Sequence, residues 1–159
     1  MSWSVKIINY YIKQGGVTRL FNEEIMEKKH LYIAAGIIRN NAQKIFITER
    51  PSGTHMAGFW EFPGGKLENG EQPQDALIRE LEEEVGIIVT ECELFHCVEH
   101  EFDERYVTLY FFMVSDWENE PYGKEGQKGR WVDQKDLVAS EFPPANRVII
   151  DMLNAEDIH

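Results

Sequence analysis

Apolar positions arrive along this chain in short runs whose spacing switches between two periods. The segments HLYIAAGIIR (30–39) and KIFIT (44–48) are rich in β-branched and apolar residues, and the polar NNAQ between them predicts two strands joined by a turn. VTLYFFMV (107–114) is apolar at successive positions, as a strand covered on both faces must be, so it is expected near the centre of a sheet. CELFHCVEHEF (92–102) is expected as its neighbour. From Pro73 the period becomes helical. Proline suits a first helical turn, Leu77, Leu81 and Val85 share a stripe, and Gly86 closes the helix. A last helix is predicted from about Pro144 through PANRVIIDMLNAE, with Val148, Ile149, Met152 and Leu153 facing a core. Strands interleaved with two helices predict a mixed α/β architecture. Residues 1–29 hold one Gly-Gly break and no sustained period, and are expected to be an N-terminal extension of uncertain order, ahead of a folded domain over 30–159.

At 159 residues the chain suits a single domain able to bury a core. The formal net charge of −12 argues against binding a polyanion such as duplex DNA, which needs clustered Lys and Arg. A small phosphate ligand stays compatible with that charge, because a bound divalent cation reverses the local sign. No apolar run is long enough to span a bilayer, so no membrane association is expected. Lys6, Asn9, Lys13 and Gln14 interrupt any secretory apolar segment, which makes the cytoplasm the expected compartment. Cys92 and Cys97 lack a second Cys or His pair at zinc spacing and read as ordinary reduced thiols.

The predicted helix carries an unusual density of carboxylates. With Leu77 set at zero and about 100° per residue, Leu81 and Val85 fall near 40° and 80°, while Glu80, Glu83 and Glu84 fall near 300°, 240° and 340°. Three carboxylates therefore share an arc beside the apolar stripe, and Glu82, near about 140°, points away into solvent. An acidic helix face alone is commonly just a solvated surface, since like-charge neighbours cost only about 0.2–0.5 kcal/mol each. The preceding loop changes the picture. Gly64 and Gly65 can turn a backbone carbonyl toward a ligand. Oxygen donors of this kind suit Mg²⁺, which takes a few carboxylates together with substrate phosphates and water.

Residues 65–87, GKLENGEQPQDALIRELEEEVGI, resemble the Nudix box, G-x5-E-x7-R-E-U-x-E-E-x-G-U with U aliphatic. Gly65, Glu71, Arg79, Glu80, Leu81, Glu83, Glu84, Gly86 and Ile87 fill all its fixed places. The resemblance implies an α/β fold in the form of an α/β/α sandwich around a mixed sheet, and hydrolysis of a nucleoside diphosphate linked to another moiety with Mg²⁺ or Mn²⁺. By the same similarity Glu80, Glu83 and Glu84 would be metal ligands and catalytic groups, joined by the Gly65 carbonyl. Arg79 would orient a glutamate, with Glu71 and Gly64 as structural support. The proton acceptor is left open between the box glutamates and Glu125 of YGKEGQ, which could also join the metal ligands.

Outside the box, AAGIIRN, IFITER, HMAGFWEFPGGK, EPYGKEGQ and EFPPAN resemble the MutT-type branch of that family, diphosphatases for 8-oxo-dGTP. In FPPAN, Asn146 is the candidate reader of the base. Oxidation at C8 of guanine places a hydrogen on N7, so one edge becomes donor then acceptor, and a single asparagine amide matches that pair. The alternative is that Asn146 merely caps the helix. Phe62, Phe102 and Trp60 are candidate apolar walls for the base. Arg50 resembles a nucleotide-contacting arginine, and Arg105 and Lys66 are further substrate-binding candidates. The expected partner is a small nucleotide, with a monomer favoured and a dimer left open. Competing readings are a Nudix pyrophosphatase for pyrimidine or other triphosphates, and a non-catalytic nucleotide-binding module.

Overall fold

A computed structural model of the chain describes residues 4–27 and 29–156. The strands are β1 (Ser4–Gln14), β2 (Val17–Glu27), β3 (Lys29–Arg39), β4 (Lys44–Glu49), β5 (Trp60–Glu61), β6 (Gly64–Lys66), β7 (Ile88–Glu101), β8 (Arg105–Glu118) and β9 (Gly129–Asp133). The helices are α1 (Pro73–Val85) and α2 (Pro144–Asn154), the latter preceded by two single 3-10 turns.

The main sheet runs β5-β4-β3-β8-β7, with β6 added on β3 and β9 on β4. β3 and β8 pair in parallel while the other pairings are antiparallel, so the sheet is mixed. The sheet is covered on both faces, and the alternation of side chains along each strand divides the core in two. Ala34, Ile38, Phe46, Phe112 and Val114 pack against Ala76, Leu77, Leu81 and Val85 of α1. Ala35, Ile37, Ile45, Phe111 and Met113 pack on the other face against Ile149, Ile150 and Leu153 of α2. An α/β/α sandwich results. β8 lies between β3 and β7, and its successive residues Phe111–Val114 are buried because one helix layer covers each face.

One expectation needs correction. The buried face of α2 is Asn146, Ile149, Ile150 and Leu153, an i, i+3, i+4, i+7 stripe; Val148 is exposed and Met152 only partly covered. The two isoleucines are adjacent in sequence, and sequence alone does not say which neighbour joins them. Residues 4–27, within the segment whose order the sequence leaves open, pair as a regular two-stranded antiparallel hairpin, and their described strands join no other strand. Its two-residue loop is Gly15–Gly16 at φ +60° and +80°, the mirror-image turn that matches strand twist and that only glycine enters freely.

Candidate active site

α1 is built to hold its acidic face at one end of the sheet. Pro73 occupies its first turn, and Gly86, at φ +73°, ends it in the left-handed region. The last carbonyls of α1 are then taken up by the loop before β9: Tyr122 N–H donates to Val85 O at 3.1 Å, Lys124 N–H to Glu84 O at 3.1 Å, and Gln127 Nε2 to Glu84 O at 3.2 Å. That clamp, not a regular element, positions Glu125. Its backbone N–H is held by Gln127 Oε1 at 3.0 Å.

Arg79 organises the other end of the acidic face. Its Nε and Nη2 donate to the two oxygens of Glu71 at 2.9 and 2.8 Å, a bidentate pair tying the loop to the helix. Nη2 also donates to Lys66 O at 3.1 Å, while Nη1 reaches Glu80 at 2.8 Å and Glu83 at 3.3 Å. The Arg79 hydrogen bonds, backed by the Glu68 N–H, hold the Glu71 carboxyl down to about 2, and they raise the arginine's own affinity for its proton. Glu82 points to solvent. A methyl group on Gly65 would collide with the Glu80 carboxylate, so glycine is required for the side chain to rest on this strand. Gly64 pairs with Ala35 of β3, and its N–H donates to Glu84 Oε2 at 3.0 Å.

The carboxylates around Glu84 make this corner electrostatically expensive. Burial is the largest influence on Glu84, and Glu61, then Glu125 and Glu80 add repulsion that the Gly64 N–H only partly offsets; the carboxyl is pushed up to about 8. Burial likewise raises Glu61, against the pull of Arg50, whose Nη1 donates to it at 2.7 Å. Among the described residues, no three His, Cys, Asp or Glu side chains converge into a ready ligand set. The reason is visible in the bonds: Glu80 and Glu83 are turned to Arg79, whereas Glu84 is turned to a backbone N–H. The donors themselves suit a hard divalent cation. They are carboxylates crowded in a partly dry corner where added positive charge relieves the repulsion.

A cleft of about 460 Å³ opens beside this corner, on the α2 side of the sheet. Arg50, Phe62, Lys66, Phe102, Arg105 and Asn146 all line it, together with Gly64 and Gly65. Phe62 is mostly core, stacked on Phe142 at 5.5 Å, and leaves little surface to the cleft. Phe102 lies under the Arg105 guanidinium at 5.3 Å and beside His100 at 4.5 Å. Asn146 is nearly buried on the first turn of α2, but the capping position is Pro143 and no side-chain cap bond is made, so the capping role considered for Asn146 is not realised. Trp60 lies outside this cleft, in a separate depression under Arg130. A second cavity, of about 470 Å³, is lined by Glu84, Glu125 and Lys128. Arg50 and Glu61 line both, so the two cavities meet at that ion pair.

Glu61, His55 and Met56 are among the lining groups that were not anticipated. Glu61 had a signal, a lone carboxylate inside the apolar run FWEF (59–62). His55 and Met56 sit on the irregular loop between β4 and β5, where Arg50 Nε holds His55 O at 2.8 Å and Met56 takes φ +58°. Nothing periodic marks them.

The NUDIX domain family matches residues 34–152. The 8-oxo-dGTP diphosphatase of Escherichia coli (strain K12) is 53% identical over 125 residues, covering 79% of this chain and 97% of that protein. The enzyme of the same name from Haemophilus influenzae is 46% identical over 128 residues, 80% of this chain and 94% of that one. Among solved structures, one described as MutT from Aliivibrio salmonicida and Vibrio cholerae superposes with a TM-score of 0.69 at 43% identity, over 80% of this chain and 98% of that one. With a family match over most of its length, a relative more than half identical and the same sandwich in a solved neighbour, the chain belongs to the Nudix hydrolase family.

Proposed function

We propose that this chain hydrolyses 8-oxo-dGTP to its monophosphate and pyrophosphate, the base lying in the cleft under Asn146 and the phosphates running past Arg50 toward the α1 carboxylates. The observation that carries the reading is the placement of Asn146: a nearly buried amide, free of any capping bond, in the wall of the cleft that leads to Glu84. An amide carbonyl there accepts from the N7–H of the oxidised base while its NH₂ donates to O6. Unoxidised guanine presents a lone pair at N7, and a buried polar group left facing it can reject the wrong ligand by roughly 10⁴-fold. Phe102 and Phe62 supply apolar walls that leave the hydrogen-bonding edge to decide.

Glu80, Glu83 and Glu84, with the Gly65 carbonyl and Glu125, would hold the divalent cation, Mg²⁺ or Mn²⁺. When bound, the cation neutralises charge on the phosphate chain and makes water more acidic. The chain's own groups do the rest. Arg50 and Lys66 bind phosphate oxygens and fix the chain for in-line displacement. Arg79 keeps the loop and helix in one geometry through Glu71. Glu125 is the group we assign to take the proton of the attacking water, because its carboxylate has no hydrogen-bond or ion-pair partner among the described residues while lining the cavity beside Glu84. The folded unit is assigned to residues 30–159.

Side-by-side kcat/KM for 8-oxo-dGTP, dGTP and CTP tests the reading. The oxidised nucleotide is expected to lead both others, and Asn146→Ala is expected to collapse the lead over dGTP by about 10²-fold or more while Mg²⁺-dependent turnover of dGTP persists. Equal kcat/KM values for the three nucleotides in the parent chain would end the oxoguanine assignment.

A further inference from the structure

The hairpin formed by β1 and β2 lies outside the matched family region and takes no part in the site described above. Residue 28 alone separates β2 from β3, so the ribbon runs on from the end of the main sheet. Isolated two-stranded ribbons are marginal in water. This one also exposes large apolar side chains on both faces: Tyr11 is 72% and Leu20 54% exposed as a cross-strand pair on one face, and Tyr10 and Phe21 stack at 5.7 Å on the other. Its distal part, residues 7–21, carries Lys13 and Arg19 and no carboxylate, in a chain of net charge −12. The opposite charge occurs at the far end of the main sheet. There β7, 14 residues long, is the terminal strand, and its exposed residues include Glu91, Glu93 and Glu99 beside Leu94 at 54% exposure.

We propose that the β1–β2 ribbon is an exchange arm between two copies of this chain, with β1 of each copy lying along the β7 edge of the other. An outer strand offers a row of N–H and C=O groups that another strand can complete. The 11 residues of β1 fit within the 14 of β7. The arm's cations then meet the carboxylates of β7, and its apolar side chains gain cover beside Leu94. Reciprocal exchange is two-fold symmetric and closes at a dimer, because it uses the arm and the β7 edge of each copy once.

Sedimentation equilibrium of the full chain reads a mass of 18.5 kDa or twice that value. The expected result is a reversible dimer. Arm charge reversal (K13E with R19E) and edge charge reversal (E93K with E99K) are each expected to raise the dimer dissociation constant about tenfold, and combining all four to restore most of the loss. Circular dichroism melting of the same samples checks that each variant is folded. A second arm variant, Tyr11→Asp with Leu20→Asp, is expected to yield monomer without changing the melt of the main domain. A parent chain monomeric at every concentration reached overturns the proposal, as does a monomer that instead co-sediments with vesicles containing phosphatidylglycerol. A dimer that ignores either the arm or the edge substitutions, or that the four-fold combination fails to restore, also overturns it.

Discussion

At the scale of single residues, the site depends on which partner each carboxylate has. Glu71 is bound bidentately by Arg79 and its pKa is lowered from 4.5 to about 2. A carboxylate whose folded pKa lies below its unfolded one contributes stability that is complete above the unfolded value and is lost as pH falls through the folded one. The melting temperature is therefore expected to fall between about pH 4.5 and pH 2, and Glu71→Gln is expected to flatten that part of the profile. Melts recorded across this range in both proteins check it; parallel profiles would deny Glu71 the role. Glu84 shows the reverse pattern, raised to about 8 mainly by burial. The helical arc of Glu80, Glu83 and Glu84 could be read from spacing alone, since 3.6-residue periodicity fixes which side chains share a face. Glu61 could not, because its proximity to Glu84 arises from the pairing of β4 with β5 and from no periodic signal.

Between elements, the end of α1 matters more than its middle. Gly86 sits at φ +73° with the Tyr122 ring where a Cβ would go, and Tyr122 belongs to the loop before β9 that carries Glu125. Gly86→Ala is expected to cost about 1–2 kcal/mol from the left-handed backbone alone. It is also expected to lower kcat by shifting Tyr122 and the Glu125 loop, with KM much less affected. Urea unfolding and steady-state kinetics on the same variant check both; lost stability with an unchanged kcat would separate the loop from the chemistry. Both helices and strands β3, β4 and β8 announce themselves in the sequence, through proline starts, a glycine stop and apolar runs. Short β5 and β6 do not, being two and three residues long and ordered by pairing with β4 and β3. The β1–β2 hairpin carries its turn signal in Gly15–Gly16, but its strands mix apolar and polar residues on both faces, so no alternation marks them.

For the molecule as a whole, one sheet with a helix layer on each side brings two chemistries to a common edge. The α1 layer presents carboxylates, the α2 layer presents Asn146 and the apolar walls, and Arg50 with Glu61 joins the cavities between them. The position of Asn146 follows from its helix: the stripe that buries Ile149, Ile150 and Leu153 carries residue 146 on the same face one turn earlier, where the core gives way to the cleft. The direct test of this arrangement is Mg²⁺-dependent hydrolysis of 8-oxo-dGTP by Glu84→Gln. The account predicts a loss of kcat on the order of 10³-fold, equivalent to several kcal/mol of lost charge stabilisation, with an unaltered melting temperature in the metal-free protein or a higher one. Hydrolysis at the parent rate, with the parent dependence on Mg²⁺, would contradict it.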